Sequence, residues 1–236
     1  MPTGAKTAKT AKMERANVQP TTEERSKPLL RGVSHEAAAI AMLGLGPLIV
    51  LQAKDTKAQA LTAVYVFTVT AMLGVSALFH RVTWAPPARR RMRRLDHSMI
   101  FFCIAGSYTA TAGLVLPGHD GPIVVAIVWA GAVAGSVLRL VWLEAPKWAV
   151  ALPYIVLGWL AVGVMPEMMH AMGGLGLGLL IGGGLLYTAG ALAYARKRPD
   201  PWPKTFGYHE IFHAFVVAAA ATHLCLVAFV VLPKFG

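Results

Sequence analysis

Charged side chains are scarce in this sequence. They make up 14% of its 236 residues, whereas hydrophobic residues make up 56%; soluble domains usually carry roughly 25% charged residues. The apolar residues lie in long runs nearly free of charge, and runs of about 18 or more such residues predict membrane-spanning helices. The composition therefore excludes an ordinary soluble domain.

Acidic residues and cysteines are also few. The chain has 11 acidic against 22 basic residues, a net charge of +11, and two cysteines. A nucleic-acid partner is not expected, because the basic residues lie in short stretches between apolar segments, where membrane topology explains them. Cys103 and Cys225 form no C-x-x-C pair and both fall in apolar segments, which excludes a disulfide framework and a zinc ribbon.

Seven apolar segments predict an all-α, integral membrane bundle of seven transmembrane helices, spanning residues 35–236. The predicted spans are 35–53, 59–81, 95–116, 122–142, 148–165, 173–195 and 208–232. Residues 1–34 contain no apolar core of a signal peptide, so we expect a flexible basic cytoplasmic tail.

The sixth predicted span is rich in glycine. Gly174, Gly178 and Gly182 recur every four residues, and such a pattern lets helix backbones approach closely. It favours packing within the bundle, with a contact between two copies as the alternative. We therefore expect a monomer or a homodimer.

Lysine and arginine predict the orientation of the bundle. They are concentrated in the tail and in the second, fourth and sixth loops, whereas the other side carries only Lys54, Lys57 and Lys234. Because cytoplasmic loops carry the excess of positive charge, the N-terminus is expected inside and the C-terminus outside.

Three histidines fall at the cytoplasmic ends of predicted spans. His209 and His213 are four residues apart at the start of the last span and therefore share one helix face; His80 ends the second span. Three neutral imidazoles with one open position form a known catalytic zinc set. The pattern predicts a Zn²⁺ site, although a histidine pair can arise by chance and His80 could instead reach toward lipid headgroups.

Two further residues fall at the same depth. Asp96 opens the third predicted span and could orient or deprotonate a water molecule; Ser76 shares a helix face with His80 and could hydrogen-bond the site or the substrate. The alternatives are that Asp96 pairs with Arg93 and Arg94 or caps the third helix, and that Ser76 bonds back to a helix carbonyl.

The run His209-Glu210-Ile211-Phe212-His213 also matches the H-E-x-x-H pattern of metalloproteases, in which the glutamate is the general base. The pattern is short, and a membrane protease is kept as an alternative. If Glu210 has no such role, a Glu210→Gln variant should keep zinc and activity.

Several motifs, in order along the chain, resemble the hemolysin III family, the bacterial branch of the progestin and adiponectin receptor superfamily. They are Arg31-Gly32-Val33-Ser34-His35, Ser76-Ala77-Leu78-Phe79-His80, Arg94-Leu95-Asp96-His97-Ser98, Ile104-Ala105-Gly106-Ser107-Tyr108-Thr109 and Tyr208-His209-Glu210-Ile211-Phe212-His213. The resemblance implies a multi-pass protein of the bacterial inner membrane. It also implies a zinc ion held by His80, His209 and His213. Asp96 corresponds to the family aspartate that holds the zinc-bound water, and Ser76 corresponds to the serine of the family's motif.

These observations lead to one expected function and, besides the membrane protease above, two further alternatives. The first is a zinc-dependent hydrolase of a lipid amide or ester, since animal relatives in the superfamily are linked to ceramide hydrolysis and membrane lipids would be the partners. The second is a membrane sensor or receptor-like protein with a structural zinc. The third is a pore-forming haemolysin, for which the sequence offers little because no charged ring recurs through the spans.

Overall fold

A computed structural model describes residues 27–142 and 146–236 of the chain. Most of the predicted tail lies in residues 1–26, outside the described residues. Within the described ranges the regular structure is helical apart from one isolated bridge between Trp202 and Phe206, which confirms the predicted all-α class.

The helices follow the predicted apolar segments closely. They are α1 Val33–Gln52, α2 Thr56–Arg81, α3 Pro86–Val115, α4 Asp120–Val141, α5 Lys147–Gly158, α6 Met165–Arg196 and α7 Tyr208–Leu226. A 3₁₀ segment, Trp159–Val164, follows α5; a π-helical turn, Val227–Val231, and a short helix α8, Leu232–Phe235, continue α7.

Helix α3 begins well before the predicted position 95. Pro86 and Pro87 occupy its first turn, where a missing N–H costs nothing, and the arginine run that follows is helical. Hydropathy marks only the apolar part of a helix, so the polar first turns were missed. Asp96 therefore lies inside α3 and does not cap it.

Six helical stretches of the described chain are long and apolar enough to cross a membrane. Five of them correspond to single predicted spans. The remaining one, Ala151–Arg196, covers the two predicted spans 148–165 and 173–195. This stretch is not straight, because Gly173 has φ 75° and ψ −177°. Moreover, Trp159 Nε1 donates to Thr188 Oγ1 at 2.9 Å, whereas these residues would lie about 43 Å apart along one straight helix. The chain therefore folds back between α5 and the end of α6.

The helices form a closed arrangement. Successive helices α1 to α4 pack against one another, α6 packs against α7, and α7 contacts α1. The first and last helices thus meet, and residues from both ends of the sequence lie side by side at this closure.

The glycine stripe that packs α6 is not the predicted one. An added Cβ on Gly174, Gly178 or Gly182 would meet no atom within 4 Å, so the prediction that these three pack within the bundle is wrong. The buried glycines recur every seven residues and face the last helix: Gly176 against Val230, Gly183 against His223, and Gly190 against Phe212 and Phe215.

Candidate functional site

The three predicted histidines meet at the end of the bundle that the sequence predicts to be cytoplasmic. His80 lies in the last turn of α2, and His209 and His213 lie in the first turns of α7. The Nε2 atoms of His80 and His209 are 3.3 Å apart, and one donor atom from each of the three lies within 4.8 Å of the others. Two nitrogens at 2.0–2.1 Å from a tetrahedral zinc are about 3.3–3.4 Å apart, so the spacing of the His80–His209 pair fits two zinc ligands.

The environment of these side chains also fits a metal. His213 is 1% exposed, and its Nδ1 atom has no hydrogen-bond partner among the described residues. Buried polar atoms in native proteins rarely lack a partner, and imidazole nitrogens are common zinc ligands. The buried nitrogen is explained if the imidazole holds an ion.

Ser76 and Asp96 lie together beside the histidines. Both are buried, and the Ser76 hydroxyl donates to the Asp96 carboxylate. Within 27–142 and 146–236, Asp96 forms no ion pair; the alternative in which it pairs with Arg93 or Arg94 is therefore not seen. The hydroxyl holds the carboxylate in one orientation, as is expected of a group that positions a water molecule.

His35 lies at the centre of the site, which sequence reasoning did not predict. Its ring stacks on that of His213, with centroids 3.8 Å apart and planes 9° from parallel, and it is 2% exposed. The sequence analysis used His35 only as part of a motif at the start of α1. The available signal was an ionisable side chain in an apolar segment, because such side chains in membrane helices usually face a partner or a cavity.

Glu210 lies beside the site but points away from it. One carboxylate oxygen forms an ion pair with Arg31, and the other accepts the backbone N–H of Gly207 at 2.7 Å. Glu210 is buried and does not line the cavity described below. Both oxygens are thus occupied in holding the start of α7, which argues against the general-base role that the H-E-x-x-H pattern suggested.

Residues 27–32, which the sequence analysis assigned to the tail, cross this end of the bundle. The backbone N–H groups of Leu29 and Leu30 donate to the carbonyls of Lys204 and Thr205, at 3.0 and 3.1 Å. Gly32 has φ 82° and lies against His80, leaving no room for a Cβ, so only glycine fits this close approach. This segment therefore joins α1 to the loop before α7 directly over the histidines.

A cavity runs from the histidines into the bundle, with an empty volume of about 1190 Å³ including its mouth. His213 and His223 both line this cavity and lie about 15 Å apart along α7, so its length suits an extended acyl chain. Ser76, Asp96, His209 and His213 line one end, His223 lines the other, and mainly apolar side chains lie between them.

His97 also lines the cavity, although the sequence analysis did not make it a ligand. Arg139 donates to its Nδ1 atom at 2.7 Å, and the Tyr154 hydroxyl donates to its backbone carbonyl at 2.9 Å. These contacts join α3, α4 and α5 behind Asp96. They fix the turn of α3 that carries Asp96.

Comparison with known proteins identifies the family of this chain. Residues 23–224 match the family described as "Haemolysin-III related". The chain is 31% identical over 210 residues to "Hemolysin-3" of Bacillus cereus, covering 87% of this chain and 92% of that protein. It is 27% identical over 164 residues to the human "Monocyte to macrophage differentiation factor" (68% and 66%). It is also 43% identical over 65 residues to the Drosophila melanogaster "Adiponectin receptor protein" (25% and 15%). The chain is a multi-pass bacterial membrane protein that belongs to the haemolysin-III related family.

Proposed function

We propose that this protein is a zinc-dependent hydrolase that cleaves an amide or ester bond of a membrane lipid. The observation that carries the proposal is the convergence of three histidines from two distant helices, with one nitrogen of each within 4.8 Å of the others and the His80–His209 pair at 3.3 Å. A carboxylate and a hydroxyl lie beside them, at the mouth of a largely apolar cavity.

Five residues have distinct roles in the proposed reaction. His80, His209 and His213 would hold the zinc ion, which supplies a Lewis acid and a water acidic enough to react at neutral pH. Asp96 would orient that water and accept its proton, because it is a buried acid that lines the same cavity as His209 and His213. Ser76 donates a hydrogen bond to the Asp96 carboxylate and so stabilises its charged form.

The proposal includes seven membrane crossings with the N-terminus in the cytoplasm and the C-terminus outside. The hydrogen bond between Trp159 and Thr188 supports two crossings within Ala151–Arg196, and the distribution of lysine and arginine supports the orientation. A reporter fused after Gly236 should be active only outside the cytoplasm; a cytoplasmic signal would contradict the odd number of crossings.

The first test is a zinc count by mass spectrometry on protein purified in detergent. We expect about one zinc per chain in the wild type and none in His80→Ala, His209→Ala or His213→Ala. His119→Ala and His170→Ala are matched controls, since neither histidine belongs to the cluster, and both should keep zinc. Zinc that survives loss of His80 would refute the site.

The second test is turnover of a panel of lipid amides and esters in vesicles. The Asp96→Asn variant keeps the shape of the side chain but cannot take a proton, so it should retain zinc and lose turnover. A wild-type protein that holds zinc but cleaves none of the panel would favour the alternative of a sensor with a structural zinc.

A further inference from the structure

His223 is an ionisable residue deep within the last helix, far from the histidine cluster. It lies ten residues after His213 on α7, which places it about 15 Å further along the helix axis. It lines both the main cavity and a smaller adjoining one. Ionisable side chains at such depth are costly and usually mark a functional site, yet the proposed hydrolysis does not use His223.

The hydrogen bonding of His223 fixes its chemical character. Its Nε2 atom lies 3.2 Å from the carbonyl oxygen of Leu180. A carbonyl can only accept, so Nε2 carries the proton, and the neutral ring then offers Nδ1 as an acceptor. Gly183 allows this placement, because a Cβ there would overlap the imidazole ring.

The other polar groups at the deep end have already used their donors. The hydroxyls of Ser107, Thr111 and Thr188 donate to backbone carbonyls of their own helices. The Trp159 N–H donates to Thr188, and the Tyr108 hydroxyl donates to the carbonyl of Gly158.

What remains at the deep end is a set of acceptors. They are Nδ1 of His223 and unused lone pairs on the Ser107 and Thr111 hydroxyls. Acceptors without donors favour a ligand that brings its own O–H, and they disfavour a carbonyl or a carboxylate, which would find no donor. The space between this end and the histidine cluster is lined by apolar side chains, among them Ile104, Ile155 and Val216.

We propose that the deep end of the cavity is a binding site for a hydroxyl group on the lipid chain, about 15 Å from the metal-binding histidines. The favoured ligand is a single-chain lipid with its carbonyl end at the histidine cluster and a hydroxyl roughly twelve carbons along an extended chain. A hydroxylated single-chain lipid is thus the substrate class inferred for the proposed hydrolase. The inference rests on that function only for the placement of the lipid's carbonyl end at the histidines.

The test is a binding series with the full chain in detergent and no turnover. Four fatty acids compete with a fluorescent fatty acid: octadecanoic acid and its 2-hydroxy, 12-hydroxy and 12-oxo derivatives. We expect the 12-hydroxy acid to bind about three- to ten-fold more tightly than octadecanoic acid, as one added hydrogen bond predicts. The 2-hydroxy and 12-oxo acids should show no such gain.

Variants assign the preference to His223. In His223→Phe the ratio of the two affinities should fall to about one, because the aromatic ring remains and the acceptor is lost. Thr222→Val is the matched control: this neighbouring residue is half-buried and its hydroxyl donates to the Ala218 carbonyl of its own helix. It should keep the full ratio.

Each outcome bears on the inference separately from the hydrolase. A flat wild-type series, or tighter binding of the 12-oxo acid, overturns it whether or not His223→Phe folds. A ratio that persists in His223→Phe also overturns it. A preserved ratio in His80→Ala, together with a wild-type protein that hydrolyses none of the lipid panel, would leave the hydroxyl site standing and refute the enzyme alone.

Discussion

Breaking the ion pair between Arg31 and Glu210 should loosen the metal site without touching a metal ligand. Glu210 is 2% exposed and Arg31 is 19% exposed, so the carboxylate depends on its partner more than the guanidinium does. Glu210 also sits next to His209, and its second oxygen holds the N–H of Gly207 at the start of α7.

The magnitudes follow from what each substitution leaves behind. Arg31→Met leaves a buried carboxylate without its partner, and breaking such a pair typically lowers the free energy of unfolding by about 3–5 kcal/mol. The Gly207 N–H and the N-terminus of α7 still stabilise the charge. We therefore expect a loss of about 3 kcal/mol, at the low end of this range. Glu210→Gln leaves a guanidinium that water can reach in part, with an expected cost of about 1–2 kcal/mol. The double variant should cost about as much as Glu210→Gln alone, which gives a coupling free energy of about 3 kcal/mol, the full cost of Arg31→Met.

The assay is reversible unfolding in mixed detergent, with the rate of zinc loss to a chelator measured in parallel. Both single variants should release zinc faster, because the first turn of α7 carries His209 and His213. Lys57→Met on the opposite side of the membrane is the charge-matched control for Arg31→Met. Strictly additive free energies in the double variant, with unchanged zinc release, would refute the reasoning. The sequence analysis expects Glu210→Gln to keep zinc and activity; the ion pair adds the expectation that this variant loses stability and releases zinc faster.

Three further predictions test the packing and the site. Gly183→Ala should destabilise the protein by about 1–3 kcal/mol, because the new methyl group overlaps the imidazole packed there; Gly178→Ala has open space and should leave the melting temperature unchanged. A membrane-permeant thiol reagent should label exposed Cys225 and spare buried Cys103. Equal labelling would contradict the orientation of α3 and α7, which buries the first thiol and exposes the second. Removing zinc with a chelator should lower the melting temperature of the wild type and leave that of His213→Ala unchanged, because an ion that binds only the folded state stabilises it.

The histidine cluster could be predicted because its signals are local. The four-residue spacing of His209 and His213 fixes a common face whatever the rest of the fold does, and charge bias in the loops places His80 at the same membrane depth. Hydropathy therefore sufficed to bring the correct helix ends together. It did not suffice for the start of α3, whose first turns are polar.

The packing face of α6 could not be predicted, because glycine occurs on several of its faces. Both the four-residue series ending at Gly182 and the seven-residue series through Gly183 are present in the sequence. The bulky residues of the facing helix, His223 and Phe215, decide which series is buried, and a single helix carries no information about them. The fold-back within Ala151–Arg196 depends likewise on a side-chain contact between distant residues, Trp159 and Thr188.

The residues that sequence reasoning missed share one location, the closure between the first and last helices. His35 on α1 stacks on His213 of α7, and Arg31 reaches Glu210 across 179 positions of sequence. Pairings of such long range leave no periodic trace. They also mean that α7, which meets α1 at this closure, carries two of the three histidines of the proposed metal site. Zinc binding and closure of the bundle should therefore stabilise each other, since any ion that requires both α2 and α7 adds its binding free energy to their association.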